Sequence, residues 1–188
     1  MKKAIFVILM ILCLMSAAAQ TAIKSVYGVS LGDSRNVVES SLQRQGKTLK
    51  NGTTKKGVPY VSIKSPRLGD CTFQGGTFYF NAGILDRVVF YSSDGGLMDP
   101  DFPGPNNAYA AFPSTVSRLQ RIYDIMRGDL ADKYGHPSID TEDKCVWRAG
   151  KNEIVLTFEN KDDTNQYGWH DCWVRVALEY RKRSASNF

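Results

Sequence analysis

Histidine and cysteine are both scarce in this 188-residue chain, which contains two histidines and four cysteines. No two cysteines form a C-x-x-C pair, and only His136 and His170 offer imidazole nitrogens. Structural zinc sites usually combine such close pairs of ligands. The sequence therefore predicts no metal site, and no motif in it indicates a cofactor.

A strong charge excess and a second long apolar run are also missing. The net charge is +5, and two of these charges belong to Lys2 and Lys3. So small an excess does not indicate a nucleic-acid binder. The one apolar run, residues 5–15, is shorter than the ~20 residues that a membrane-spanning helix needs. We therefore expect no integral membrane span.

Residues 1–19 have the organisation of a secretory signal peptide. Two lysines precede the apolar run, and the small residues Ala17-Ala18-Ala19 provide a cleavage site. We expect a mature chain that begins at Gln20 and is exported to the periplasm or out of the cell. An uncleaved membrane anchor is the alternative interpretation.

The first half of the mature chain reads as one helix followed by three strands. Asp33-Ser34 is a helix start at which either side chain could cap the first amides, and Gln45-Gly46 is a helix end. Runs typical of strands follow at 58–65, 71–81 and 84–92, with hairpin chemistry at the Asn81-Ala82-Gly83 turn.

The second half has the same order. Ser114 or Thr115 opens a longer helix, in which apolar residues recur at spacings of three and four, and Gly135 ends it. Strands are predicted over 144–149, 153–159 and 169–181. In the last strand Cys172 and the even-numbered residues after it form the apolar, inward face.

These patterns predict an α+β fold with two helix-β-β-β units, each an antiparallel sheet with its helix packed on one face. The first unit covers 20–92 and the second covers 114–188, which ends in the basic tail Arg181-Lys182-Arg183. Residues 93–113, rich in Gly, Pro, Asp and Asn, form the predicted connecting loop. Loops of this length are usually linkers or functional surfaces.

A similar arrangement of short motifs is found in one group of small exported proteins. The matching residues here are Gly32, Ser34, Val38, Leu42 and Gly46 in the first half and Leu130, Tyr134, Gly135, Pro137 and Trp147 in the second. The chain resembles the beta-lactamase-inhibitor-protein-like and BamE-like type. The resemblance implies a binding or assembly scaffold of the cell envelope, without catalysis. Unlike BamE, the chain has no cysteine placed for a lipid anchor.

One stretch formally matches the nucleophile elbow of serine hydrolases, Gly28-Val29-Ser30-Leu31-Gly32. An elbow needs a strand before it and a helix after it within a parallel sheet, with an acid and a histidine following in the chain. Here almost no chain precedes the motif and no βαβ pattern surrounds it. We interpret Gly28 and Gly32 as turn residues, and we predict no catalytic residues.

The segment 169–175 is the strongest candidate for a binding surface. Its members are Trp169, His170, Asp171, Trp173 and Arg175. Trp173 falls on the strand face opposite the core, beside Arg175, and such a pair is typical of a protein interface. A tryptophan near Asp and His could equally stack on a sugar, or a second layer could cover this face.

The three cysteines of the mature chain allow one disulfide. Cys145 and Cys172 both point inward in the predicted strands, which favours a Cys145–Cys172 disulfide. Two alternatives stay open: all three thiols are free, or Cys71 is bonded across the two units.

Together these observations predict an exported, non-catalytic cell-envelope protein that binds or assembles another envelope or secreted protein. The alternative is a glycan-binding module or a hydrolase built around 169–173.

Overall fold

The computed structural model describes residues 25–98, 108–164 and 168–183, which contain two helices and ten strands. The helices are α1 (Arg35–Arg44) and α2 (Ala108–Tyr134). The strands are β1 (Lys50–Thr53), β2 (Pro59–Lys64), β3 (Arg67–Leu68), β4 (Cys71–Thr72), β5 (Gly75–Asn81), β6 (Ile84–Met98), β7 (Ile139–Asp140), β8 (Lys144–Ala149), β9 (Asn152–Thr164) and β10 (His170–Lys182). The predicted signal peptide, the start at Gln20 and the middle of the predicted connecting loop lie outside the described residues.

Eight of these strands form one antiparallel sheet in the order β1-β2-β5-β6-β10-β9-β8-β7, and β3 pairs with β4 separately. The prediction of two helix-β-β-β units is therefore wrong. The fold is dominated by a single sheet in which β6 from the first half pairs with β10 from the second. That pairing extends from Arg87 opposite Arg181 to Met98 opposite His170.

The strand β6 is longer than the sequence predicts because its pairing with β10 imposes the extended conformation. Residues 93–98, which include Gly95 and Gly96, have little preference for a strand, yet each lies opposite a residue of β10. The predicted connecting loop 93–113 is thus wrong at both ends. At its other end α2 begins at Ala108, six residues before the predicted start.

The early start of α2 places Pro113 inside the helix. The hydroxyl of Ser114 does not cap the helix but donates a hydrogen bond to the carbonyl of Ala111 at 2.7 Å. Phe112 is buried, so the extra turn lengthens the apolar face of the helix. The helix is longer than predicted because burial of Phe112 stabilises its first turns.

The core lies between the helices and one face of the sheet. Even-numbered residues of β10 and their cross-strand partners face it, as the alternation in the sequence predicts. Buried members of this face are Val61, Phe78, Val88, Phe90, Cys145, Trp147, Ile154, Leu156, Cys172, Val174, Val176, Leu178 and Tyr180, and the helices add Val38, Leu42, Leu119, Tyr123, Met126 and Leu130.

The start of α1 is fixed by the β5–β6 turn rather than by a side-chain cap. Ser34 is the N-cap residue, but its side chain makes no capping hydrogen bond. Instead the amide of Arg35 donates to the carbonyl of Gly83 at 3.0 Å. The turn itself has positive φ at Ala82 (48°) and Gly83 (77°), which suits a two-residue hairpin. The predicted turn and helix end are confirmed, and the predicted side-chain cap is wrong.

The predicted Cys145–Cys172 disulfide is also wrong. All three cysteines of the described chain are free and buried. The strand β9 separates the two cysteines, and Cys145 is level with Leu178, through Leu156, rather than with Cys172. The two levels, Cys172 and Leu178, are six positions apart on β10, which is about 20 Å of strand. A disulfide requires Cα atoms within about 7 Å.

We expect all three thiols of the described chain to stay reduced and protected. Cys71, Cys145 and Cys172 are 3%, 0% and 0% exposed, so an alkylating reagent reaches them only after unfolding. Alkylation without reductant, followed by peptide mass mapping, should label none of them in the folded protein and all three in denaturant. A disulfide-linked peptide that contains any of the three would contradict this arrangement.

Neither described helix has an apolar stretch long enough to cross a membrane. Since this result covers only the described residues, it agrees with the expectation for that part of the chain.

Candidate functional site

The second face of the sheet, opposite the core, is the candidate functional surface. We call it the open face and define it by Tyr60, Tyr79, Tyr91, Trp173 and Arg175. Cross-strand pairing puts these side chains on one surface that spans β2, β5, β6 and β10. No helix residue of the described chain lines the two clefts at the middle of this face.

A cleft of about 600 Å³ runs across the open face. Its lining consists of three tyrosines, one tryptophan, two cations and small polar or aliphatic side chains. These residues are Lys50, Tyr60, Ser62, Thr77, Tyr79, Val89, Tyr91, Ser93, Trp173 and Arg175. None of the described residues that line it is a carboxylate, so these side chains carry a net positive charge.

Two glycines let the tyrosine rings lie down across the sheet. A Cβ atom at Gly75 would lie 2.7 Å from Cζ of Tyr91, and one at Gly52 would lie 2.4 Å from Cζ of Tyr60. Such distances leave no room for a side chain, so each glycine provides the space that its tyrosine ring occupies. The faces of these rings thus become part of the cleft floor.

The tyrosine at the centre of this group is held on both sides. The rings of Tyr60 and Tyr79 are 6.0 Å apart at a tilt of 55°, and the guanidinium of Arg87 lies 4.2 Å above the Tyr79 ring. Both are recognised favourable geometries for an aromatic side chain. The aromatic surface is therefore built in advance of any ligand.

Beyond the aromatic cleft the open face carries a row of ion pairs. The carboxylate of Glu153 accepts a hydrogen bond from Nε of Arg181 at 2.7 Å and lies 3.7 Å from Nε of Arg148. Its side chain is only 4% exposed because the two long arginine side chains cover it. This end of the face has its charges matched internally, unlike the aromatic cleft.

The structure brings together only two of the five predicted binding residues. Trp173 and Arg175 line the cleft, as predicted from the alternation of β10. Trp169 precedes the strand and is 43% exposed, and Asp171 lies within 3.9 Å of Lys161. Neither of these lines the aromatic cleft. His170 is an even-numbered residue of β10, so its side chain lies on the core face of the sheet, away from the open face.

On that opposite face His170 belongs to a separate cluster with Asp162 and Cys172. Asp162 lies directly across from Cys172 on β9, and His170 is two residues before Cys172. The Oδ1 atom of Asp162 is 2.5 Å from Nδ1 of His170 and accepts a hydrogen bond from Sγ of Cys172 at 3.4 Å. Three groups of metal-binding chemistry therefore meet at the end of the β9–β10 hairpin.

The surroundings of Cys172 are not those of a catalytic cysteine nucleophile. Burial, followed by the hydrogen bond to Asp162, raises the pKa of the Cys172 thiol to about 11. At neutral pH the sulfur is thus protonated, and its hydrogen bond goes to a carboxylate rather than to the imidazole. Catalytic cysteines need the opposite, a lowered pKa beside a base.

A second cysteine–aspartate pair links Cys145 of β8 to Asp140 of the edge strand β7. Cys145 donates a hydrogen bond to Oδ1 of Asp140 at 3.2 Å, and that oxygen also accepts one from Arg127 at 2.6 Å. Burial is the main cause that raises the pKa of Cys145. Arg127 neutralises the carboxylate, and Asp140 is 44% exposed, so this pair connects the buried Cys145 to an ion pair at the surface.

The segment that resembles a nucleophile elbow is a tight turn. The φ angles of Tyr27 (54°) and Gly28 (73°) are both positive, and Val26 and Val29 exchange backbone hydrogen bonds across them. Ser30 then donates its amide to the carboxylate of Asp33 at 2.7 Å. The interpretation of these glycines as turn residues is confirmed.

Replacement of Ser30 by alanine should leave the free energy of unfolding unchanged within about 0.5 kcal/mol, because only backbone atoms of this residue hold the turn: its amide donates to the Asp33 carboxylate and its carbonyl accepts from the Asp33 amide. Asp33→Ala should lower it by about 1 kcal/mol, since that carboxylate accepts the amide. Chemical denaturation of both variants measures the difference. An esterase activity that Ser30→Ala abolishes would show that the turn interpretation is wrong.

The sequence did not identify the tyrosines of the open face as site residues. Tyr60, Tyr79 and Tyr91 each lie in a strand that was predicted, but their meeting depends on which strands are neighbours. The glycines were a signal that could have indicated these tyrosines, since a glycine within a strand leaves room for a large side chain opposite it. Gly75 lies directly opposite Tyr91, and Gly52 lies opposite Tyr60.

Comparison with known proteins gives no relative for this chain. No family, no curated protein and no solved structure matches it. The resemblance to beta-lactamase-inhibitor-protein-like and BamE-like proteins therefore stays a prediction from short motifs.

Proposed function

We propose that this chain is an exported, non-catalytic module of the cell envelope that binds an acidic segment of a partner protein on the open face. The observation that carries the proposal is the aromatic cleft of about 600 Å³ with its two cations. The signal-peptide pattern of residues 1–19 supports the proposed export to the periplasm or out of the cell.

The composition of the cleft supports a protein partner. Tyr, Trp and Arg are the residues that contribute most to binding energy at protein interfaces. They also present large contact areas on stiff side chains, so that little entropy is lost when a partner binds. Trp173, Arg175 and Tyr91 combine these properties on neighbouring strands.

The charge of the cleft selects the chemistry of the partner. Lys50 and Arg175 line it and no carboxylate of the described chain does, whereas the ion pairs around Glu153 are matched within the face. Complementary charge speeds association and excludes partners of the same sign. A segment with aspartate or glutamate side chains between apolar residues fits this surface.

Cross-linking from the open face tests the proposal in the native envelope. A photo-reactive amino acid is introduced at Ser62 or Ser93, which line the cleft, and at Ser40, which is exposed on α1 as the matched control. We expect both cleft positions to give an adduct with the same protein, attached within an acidic peptide, and Ser40 to give none.

Two results would contradict the proposal. Adducts that form equally from Ser40 would show that the open face is not selective. An adduct with a glycan in place of a protein would favour the alternative function, a carbohydrate that stacks on the tyrosine rings.

A further inference from the structure

The hairpin formed by β9 and β10 carries a second feature, on the core side of the sheet and away from the aromatic cleft. Asp162, His170 and Cys172 each present one ligand atom there, and these three atoms all lie within 4.8 Å of one another. We propose that this cluster is a zinc-binding site. The proposal does not depend on the function of the open face.

The ligand types favour zinc over the alkaline-earth ions. Zinc binds cysteine sulfur, histidine nitrogen and carboxylate oxygen in tetrahedral geometry, whereas calcium and magnesium take oxygen ligands. With metal–ligand bonds of about 2.0–2.3 Å, neighbouring ligand atoms of a tetrahedral zinc lie about 3.5 Å apart. Shifts of about 1 Å or less at each side chain would bring the present atoms to that spacing.

The backbone fixes the ligands in suitable places. Cys172 and Asp162 are a directly opposed pair on adjacent antiparallel strands, and His170 lies on the same face of the same strand as Cys172. Burial decreases along the cluster, from a fully buried Cys172 to side chains that are 20% exposed at His170 and 42% exposed at Asp162. An ion can therefore enter from the solvent side of the cluster.

On the neighbouring strand, no described residue fills the position next to the cluster. Gly96 lies opposite Cys172 on β6, and a Cβ atom there would meet no described atom within 4 Å. Three protein ligands with one free position are typical of zinc sites that hold a water or a donor from another molecule.

The pair of Cys145 and Asp140 shows why only one of the two cysteine–aspartate pairs is a metal site. No histidine of the described chain joins it within ligand distance, and Arg127 donates to the carboxylate at 2.6 Å. A positive guanidinium at that distance opposes the entry of a cation. This pair therefore provides a matched control for the experiment.

Zinc and cobalt titration of the purified mature protein tests the site. We expect one zinc ion per chain by equilibrium dialysis, and a near-ultraviolet thiolate-to-cobalt absorption when Co²⁺ replaces it. His170→Gln and Asp162→Asn, both at the accessible end of the cluster, should each weaken zinc binding by more than about 100-fold, beyond the loss caused by removal of an outer-shell partner. Circular dichroism establishes that both variants are folded.

The control variant Asp140→Asn should bind zinc as the unaltered protein does. The proposal is overturned if Co²⁺ gives no thiolate absorption. It is also overturned if folded His170→Gln binds zinc normally, or if Asp140→Asn loses zinc to the same extent as Asp162→Asn.

Discussion

Replacing Gly95 by alanine is expected to lower the free energy of unfolding by about 3 kcal/mol or more, from positive-φ strain and overpacking together. The φ angle of Gly95 is 147°, which side-chain-bearing residues rarely adopt. Its new Cβ atom would lie 2.2 Å from the carbonyl oxygen of Cys172 and 2.5 Å from Cα of Trp173. Both are backbone atoms of β10 and cannot move aside without breaking the pairing that joins the two halves of the sheet.

The adjacent Gly96 is the control for this prediction. A Cβ atom there meets no described atom within 4 Å, and its φ angle is not positive. Gly96→Ala should therefore be neutral or slightly stabilising, since alanine has less freedom in the unfolded chain. Urea denaturation of the two variants gives the comparison. Equal stability of Gly95→Ala and Gly96→Ala would mean that β6 does not pair with β10 at this position.

Trp173→Ala should weaken binding of the cross-linked partner by about 30-fold or more, the effect of losing a 2 kcal/mol hot spot. Trp173 lies on the open face opposite Gly95 of β6 and Lys161 of β9, and its side chain lines the cleft together with Tyr91. Loss of the ring removes apolar contact area without changing the charge. Calorimetric titration with the purified partner measures the change.

The matched control is Trp169→Ala, which removes an exposed tryptophan just before β10 that does not line the cleft. We expect its affinity to stay close to that of the unaltered protein. If Trp169→Ala weakens binding and Trp173→Ala does not, the partner binds at the hairpin end rather than in the aromatic cleft.

The sequence predicts local features of this fold well and their assembly poorly. The alternation in β10 identifies Cys172 and Val174 as core residues and Trp173 and Arg175 as residues of the other face, because side chains alternate along every strand. The order of strands depends instead on long-range pairing. No local pattern in β6 or β10 indicates that the two strands are neighbours. Two separate units were therefore predicted where the structure has one sheet.

The cluster of Asp162, His170 and Cys172 was not predicted because the end of β9 was not predicted. The strand β9 was predicted to end at Glu159, but it continues to Thr164 because β10 pairs with it throughout. That extension contains Asp162, which completes the cluster with His170 and Cys172. Lys161, Asp162 and Asp163 have poor strand preference on their own, so only the tertiary pairing could place them.

The affinity of the partner for two charge-reversal variants tests the central claim, binding on the open face, most directly. Arg175→Glu changes a cation of the cleft, and Arg44→Glu changes an exposed cation of α1, so both variants have the same net charge. We expect Arg175→Glu to weaken binding by more than about 30-fold, since a like charge in the interface costs several kcal/mol, and Arg44→Glu to have no effect. Equal affinities of the two variants would contradict binding on the open face.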